Sequence, residues 1–148
     1  MADVQDPTPT SVTVRRTIPA RRDVVFAAWT TPEALKQWSA PGDRTSPVVE
    51  VDLRVGGRYR IDIAAPAGLT HRGVGDYLEV DPPNRLVYTW QWDTNPALGS
   101  TLVTVDFLDR GAETEIVLVH ARHPNAEAAA NHERGWAGCL AKLEGLYR

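Results

Sequence analysis

Two histidines and a group of indole and phenol rings are the chemically expressive residues of this chain. His120 follows Leu118 at the two-residue spacing of one strand face, and His132 precedes Trp136 at the four-residue spacing of one helix face. Imidazoles placed in this way could meet at one end of an interior and exchange a proton near neutral pH, with Tyr88 as a third candidate for proton transfer. The commoner use of such histidines is a hydrogen bond across a helix–sheet seam, or the orientation of a ligand. His123, next to Pro124, is expected to be exposed, and His71 opens a strand from which it could point into a cavity mouth. Trp38, Tyr59, Tyr88, Trp90 and Trp136 are expected to line one cavity. Each offers an apolar body with one N–H or O–H, which suits an amphipathic ligand; the competing reading is an aromatic core with little void. Trp92 is expected at the mouth or on an exposed rim.

Other chemistry lacks its parts. His132-Glu133 resembles the start of a zinc-protease helix, but the position of the second histidine is Trp136. The histidines lie in distant segments without ligand spacing, so no metal site is expected, and no cofactor either. Cys139 is the single cysteine, which excludes an intramolecular disulfide and a cysteine-based zinc site. The chain has no nucleophile elbow, phosphate loop or dinucleotide fingerprint. Asp52 and Arg54 are expected to form a salt bridge or anchor the turn at Gly56-Gly57, with an anion-binding Arg54 as the alternative; Arg58 and Arg60 read as solvated, and Asp62 and Asp76 as candidates for a carboxylate pair.

These residues need elements to hold them. Asn125 to Tyr147 reads as a long helix with His132, Trp136, Cys139, Leu140, Leu143, Leu146 and Tyr147 on one stripe. At about 100° per residue they fall within roughly 120° of arc, a face that must cover something. Gly135 borders this stripe, whereas Gly138 and Gly145 fall on the outer side, which suits either a soft lid or, more plainly, tolerated sequence drift. Upstream lie strand-like runs. Val12, Val14, Arg16 and Ile18 alternate in the first. Val24, Val25, Ala28 and Trp29 then mark a short helix, and Thr31-Pro32-Glu33 starts a second one with Thr31 as a possible cap. Val49, Val51 and Leu53 share a face, as do Tyr59, Ile61 and Ile63. Gly73 and Gly75 interrupt the next strand, which suggests bending or a close approach of other backbone. Leu86, Tyr88, Trp90 and Trp92 align in a further strand, and Leu102–Phe107 and Glu113–His120 make the last two. Strands and helices segregated in this order predict an α+β architecture in one domain over 12–148, after a frayed start at 1–11.

Composition sets the remaining bounds. The 148 residues carry 43% hydrophobic and 24% charged side chains and a formal charge of -3, which suits a globular domain and gives nucleic acid no basic stripe to bind. Arg15-Arg16 and Arg21-Arg22, the only basic cluster, read as solvated surface. Met1 to Ser11 is polar with two prolines and does not read as a secretory signal, and no apolar run reaches membrane length, so a cytoplasmic location is expected.

Several segments together carry a family resemblance. They are Ile18-Pro19-Ala20, Trp29-Thr30-Thr31-Pro32-Glu33 with Trp38, Asp52-Leu53-Arg54-Val55-Gly56-Gly57, Asp81-Pro82-Pro83-Asn84-Arg85-Leu86 with Thr89-Trp90, then His120 and His132 through Trp136. In order and spacing the chain resembles the START-like or SRPBCC superfamily, the helix-grip fold of the birch-pollen allergen. Within it the chain is most similar to the branch related to the activator of heat-shock protein 90 ATPase. The resemblance implies a curved antiparallel sheet of six to seven strands around a long C-terminal helix, with two short helices after the first strand. It also implies a pocket for an apolar or amphipathic ligand; from the residue pattern, Trp38, Tyr59, Tyr88, Trp90, His120 and Trp136 are the expected contacts. Two alternatives stand beside ligand binding. One is a cyclase- or aromatase-like enzyme using Tyr88, His120 or His132; the other is a chaperone-associated interaction module without a ligand. A monomer or a homodimer paired through an exposed edge strand is expected.

Overall fold

The structure, a computed structural model, describes residues 10–148; the expected frayed start lies, for residues 1–9, outside the described residues. In chain order the elements are β1 (Val12–Ile18), α1 (Arg22–Thr30), α2 (Pro32–Trp38), β2 (Thr45–Val51), β3 (Arg58–Ala64), β4 (Thr70–Asp81), β5 (Arg85–Trp92), a short 3-10 turn (Pro96–Leu98), β6 (Ser100–Arg110), β7 (Glu113–Ala121) and α3 (Ala126–Leu146). One seven-stranded sheet runs β1-β7-β6-β5-β4-β3-β2, every neighbouring pair antiparallel. The chain therefore starts at one edge, crosses to the other through α1 and α2, and walks back strand by strand. The α+β helix-grip architecture is as the resemblance implies.

Alternation decides which face is inside. Tyr59, Ile61 and Ile63 of β3, Leu86, Tyr88 and Trp90 of β5, Val103, Val105 and Phe107 of β6, and Ile116, Leu118 and His120 of β7 are all buried. Register irregularities between Thr45 and Val48, and between Tyr77 and Glu79, add local bend to the curl of the sheet. α3 begins at Asn125, whose side-chain oxygen accepts the Ala128 N–H at 2.9 Å, a standard N-cap bond. The helix buries Ala129, Cys139, Leu140 and Leu143, and the Arg16–Glu144 ion pair at 2.7 Å ties it to β1.

The two interrupting glycines of β4 each make room for one specific group. A Cβ at Gly73 would lie 2.2 Å from the Trp90 ring, and one at Gly75 would lie 1.9 Å from the Thr89 carbonyl oxygen and 2.6 Å from the Tyr59 hydroxyl. Gly75 thus lets the Tyr59 hydroxyl donate to the Thr89 carbonyl across the sheet.

Several sequence expectations need correction. Leu146 is exposed because it falls at the edge of the stripe, while Tyr147 after it still packs on the core, and Val24 is exposed while Phe26 takes the inner side of α1. Leu53 follows the end of β2 and is exposed. Thr31 precedes α2 without a side-chain cap bond; Pro32 at its start removes one N–H that would otherwise need a partner. Gly138 is not on an open outer side: its missing Cβ would sit 3.0 Å from Pro41, whereas Gly145 does face open space. Arg60 is not merely solvated, because it and Arg72 both grip Asp62, at 2.8 Å and 3.1 Å. Asp76 instead pairs with Arg58 at 3.1 Å, so Asp62 and Asp76 form no carboxylate pair. The expected Asp52–Arg54 pair is present at 3.0 Å.

Candidate functional site

Between the inner face of the sheet and α3 lies a cavity of about 920 Å³. Its wall includes Trp38, Tyr59, Tyr88, Trp90, His120 and Trp136, the six residues singled out in the sequence, together with Trp29, Tyr77, Trp92 and His71. The lining also includes Pro41 and the exposed residues Gly42, Arg44, Thr94, Asn95, Asn131 and Arg134. At this size the cavity is within the range of small-molecule sites, roughly 300–1,000 Å³.

The rings support one another. Trp29 meets Trp38 edge-on at 4.6 Å between centroids and lies against Trp136 at 6.0 Å. Tyr59 meets Tyr88 at 5.3 Å, and Trp90 meets Trp92 edge-on at 5.2 Å. Most polar tips already have partners. The Trp38 indole N–H donates to the Ala28 carbonyl at 3.0 Å, and that of Trp29 donates to the Tyr88 hydroxyl at 3.2 Å. Burial holds the Tyr59, Tyr77 and Tyr88 phenols protonated well above their ordinary range. Among the described residues one buried side-chain polar atom has no partner: Nε1 of Trp90.

The histidines form a connected group at this wall. The Trp136 indole N–H donates to His120 Nδ1 at 3.0 Å, so that nitrogen carries the lone pair. Thr101 Oγ1 gives its proton to the Trp90 carbonyl at 2.9 Å and therefore accepts from His120 Nε2–H at 2.7 Å. His120 is thereby fixed as one neutral tautomer. Burial, reinforced by the neighbouring His132 and His123, pushes its pKa down to about 2. His132 is lowered to about 4 by burial and by His123.

His123 departs from expectation. It is 3% exposed rather than open to water. Arg122 takes a left-handed backbone (φ 70°), so the chain doubles back after β7 and lays His123 over His120 at 4.3 Å between ring centroids. His123 Nδ1–H donates to the Thr10 carbonyl at 2.9 Å, and its Nε2 faces His132 Nδ1 at 2.8 Å. His120 and His132 do approach, with ring centroids 4.4 Å apart, but as stacked rings rather than as a hydrogen-bonded pair. Trp92 covers His132 in a parallel stack at 6.0 Å, and His71 rests edge-on against Trp92.

Comparison with known proteins places this architecture. The model of one family, activator of Hsp90 ATPase homolog 1-like protein, matches residues 19–148. The chain belongs to that family. Among solved structures, protein CV1439 from Chromobacterium violaceum is similar to this activator-like chain at 30% identity and a TM-score of 0.86, over 93% of this chain and 96% of that one. The AHSA1 protein from Silicibacter pomeroyi shares the fold at 23% identity and a TM-score of 0.82, over 92% and 96% of the two chains. Protein Ms6760 from Mycobacterium smegmatis does so at 20% identity and 0.83, over 97% and 93%. No curated protein matches the chain. Among the described residues of this family member, no helix is long and apolar enough to cross a membrane.

Sequence reasoning did not count Trp29 and Tyr77 as cavity-wall residues, nor Thr101 and His123 as partners of His120 and His132. Two carried a usable signal. Tyr77 stands two residues beyond Gly75 on the face shared with Gly73, and Trp29 lies four residues after Val25 on the buried side of α1. His123 carried none, because its burial depends on a left-handed turn at an arginine.

Proposed function

We propose that this protein binds a small apolar molecule, aromatic or polycyclic in body, that carries a hydrogen-bond acceptor such as a carbonyl. The carrying observation is the Trp90 indole: its N–H is buried in the cavity wall and lacks an acceptor. A buried donor left without a partner costs about 1–3 kcal/mol, which a ligand oxygen would relieve once a small turn of the Trp90 ring brings its N–H to the cavity surface. The Tyr88 hydroxyl adds a second donor, since its oxygen accepts from Trp29 and its own proton is free to turn toward the cavity. The apolar body would rest on Trp38, Tyr59, Trp90 and Trp136, with His120 holding Trp136 in place through its Nδ1. Burial of such a body contributes about 25 cal/mol per Å² removed from water.

Binding is favoured over proton-transfer catalysis by the state of His120. Both of its nitrogens are engaged, and with a pKa near 2 it does not take up a proton at neutral pH. The test compares 2-acetylnaphthalene with 2-ethylnaphthalene, near-isosteres that differ in one carbonyl, by calorimetry on the full chain. The ketone is expected to bind more tightly by about threefold to tenfold, the net worth of one neutral hydrogen bond. Trp90→Phe is expected to shrink that preference, leaving the share owed to the Tyr88 hydroxyl, while still binding both. Equal affinities in the native chain, or no binding of either compound, would overturn the proposal.

A further inference from the structure

We infer that His120, His123 and His132 form a binding site for one divalent transition-metal ion of the zinc class in the wall of the cavity. A nitrogen from each of the three rings lies within 4.8 Å of those from the other two. The rings come from the end of β7, from the turn after it and from α3, so the fold rather than local sequence assembles them. The inference is independent of what the cavity itself holds.

His123 is already arranged as metal-binding histidines are. Its Nδ1–H is anchored on the Thr10 carbonyl, which leaves the Nε2 lone pair directed at His132. Nε2 of His123 and Nδ1 of His132 are 2.8 Å apart, with one proton between them. Two ligands at about 2.0–2.1 Å from a tetrahedral ion stand about 3.3 Å apart. A widening of about half an ångström therefore admits the ion in place of that proton, which moves to His132 Nε2 and leaves the proton count unchanged. His120 offers Nδ1, because Thr101 already holds its Nε2–H; the Trp136 indole N–H must release that lone pair. The rings of His120 and His132 are inclined by only 24°, so His132, the partly exposed member on α3, must turn for their lone pairs to converge.

Three neutral imidazoles without a carboxylate or thiolate suit Zn²⁺, Co²⁺, Ni²⁺ or Cu²⁺, and not Mg²⁺ or Ca²⁺. His120 and His132 both line the cavity, so the remaining coordination positions would open toward it. A water or a ligand oxygen could complete the shell there.

The experiment uses the untagged full chain, stripped with EDTA and titrated with Co²⁺ and then Zn²⁺. One Co²⁺ per chain is expected, with visible d–d absorption that Zn²⁺ displaces. In ¹H–¹⁵N spectra, the imidazole signals of His120, His123 and His132 should shift on Zn²⁺ addition, while those of His71 stay in place. His123→Gln and His132→Gln should each weaken binding at least about tenfold to a hundredfold, the loss that even an outer partner of a metal site carries. Trp136→Phe, which uncovers His120 Nδ1, should tighten it about threefold to tenfold, the net worth of the hydrogen bond removed. Absence of Co²⁺ uptake at millimolar metal would overturn the inference. So would unchanged affinity in the two glutamine variants, or Zn²⁺-induced shifts confined to His71. If a variant fails to fold, as judged by far-UV circular dichroism, the imidazole spectrum of the native chain decides alone.

Discussion

The buried imidazoles make the acid stability of this protein a quantitative test of the structure. His120 is fully buried with its pKa near 2, and His132 is lowered to near 4, in both cases chiefly through burial. In the unfolded chain each histidine titrates near 6.5. Below that pH the unfolded state takes up protons that the folded state refuses, so the stability present above pH 6.5 falls as pH drops toward the folded values. Each pH unit costs about 1.4 kcal/mol per histidine, so His120 alone accounts for about 2 kcal/mol between pH 6.5 and 5. His132 adds a smaller amount because it is partly exposed, which brings the loss to about 3–4 kcal/mol out of a total stability of about 5–15 kcal/mol. Asp62, Glu115 and Glu144 are lowered by their arginine partners, so their losses begin only as pH falls through the ordinary carboxylate range. The window from pH 6.5 to 5 thus belongs to the histidines. Urea unfolding at half-unit pH steps in EDTA buffer measures the slope, and His132→Gln should remove the smaller share of it. A stability that stays level down to pH 5 would refute the burial and neutral state assigned to this group.

Two substitutions test the packing around the cavity. Gly73→Ala places a methyl group where the Trp90 ring now lies, 2.2 Å away, so the ring must shift by about 1 Å; a loss of about 1–3 kcal/mol and weaker 2-acetylnaphthalene binding are expected, read by thermal melting and calorimetry. Gly145→Ala meets open space and should stabilise α3 by up to about 1 kcal/mol, whereas Gly138→Ala presses on Pro41 and should gain less or lose; urea midpoints compare the two.

How much of this was legible in the sequence depended on periodicity. The alternation of Tyr59, Ile61 and Ile63, and of Tyr88 and Trp90, placed those side chains on the inner face because a strand offers only two sides. The stripe on α3 was equally plain for Cys139, Leu140 and Leu143, and failed at Leu146, which sits at the stripe's edge while Tyr147 after it still packs on the core. Partnerships across strands were not legible. The Arg60–Asp62–Arg72 grip needs the register of β3 on β4, and the neutral tautomer of His120 needs Thr101 from β6 and Trp136 from α3. Gly73 and Gly75 announced a close approach, but only the structure shows that a Trp90 ring and the Thr89 carbonyl make it.

The most direct measurement is the ¹H–¹⁵N spectrum of the five tryptophan indole N–H groups with 2-acetylnaphthalene added. The Trp90 signal should move downfield as its unpartnered N–H meets the ketone oxygen, while that of Trp38, held by the Ala28 carbonyl, shifts little. A saturating titration that leaves the Trp90 signal in place would contradict the account.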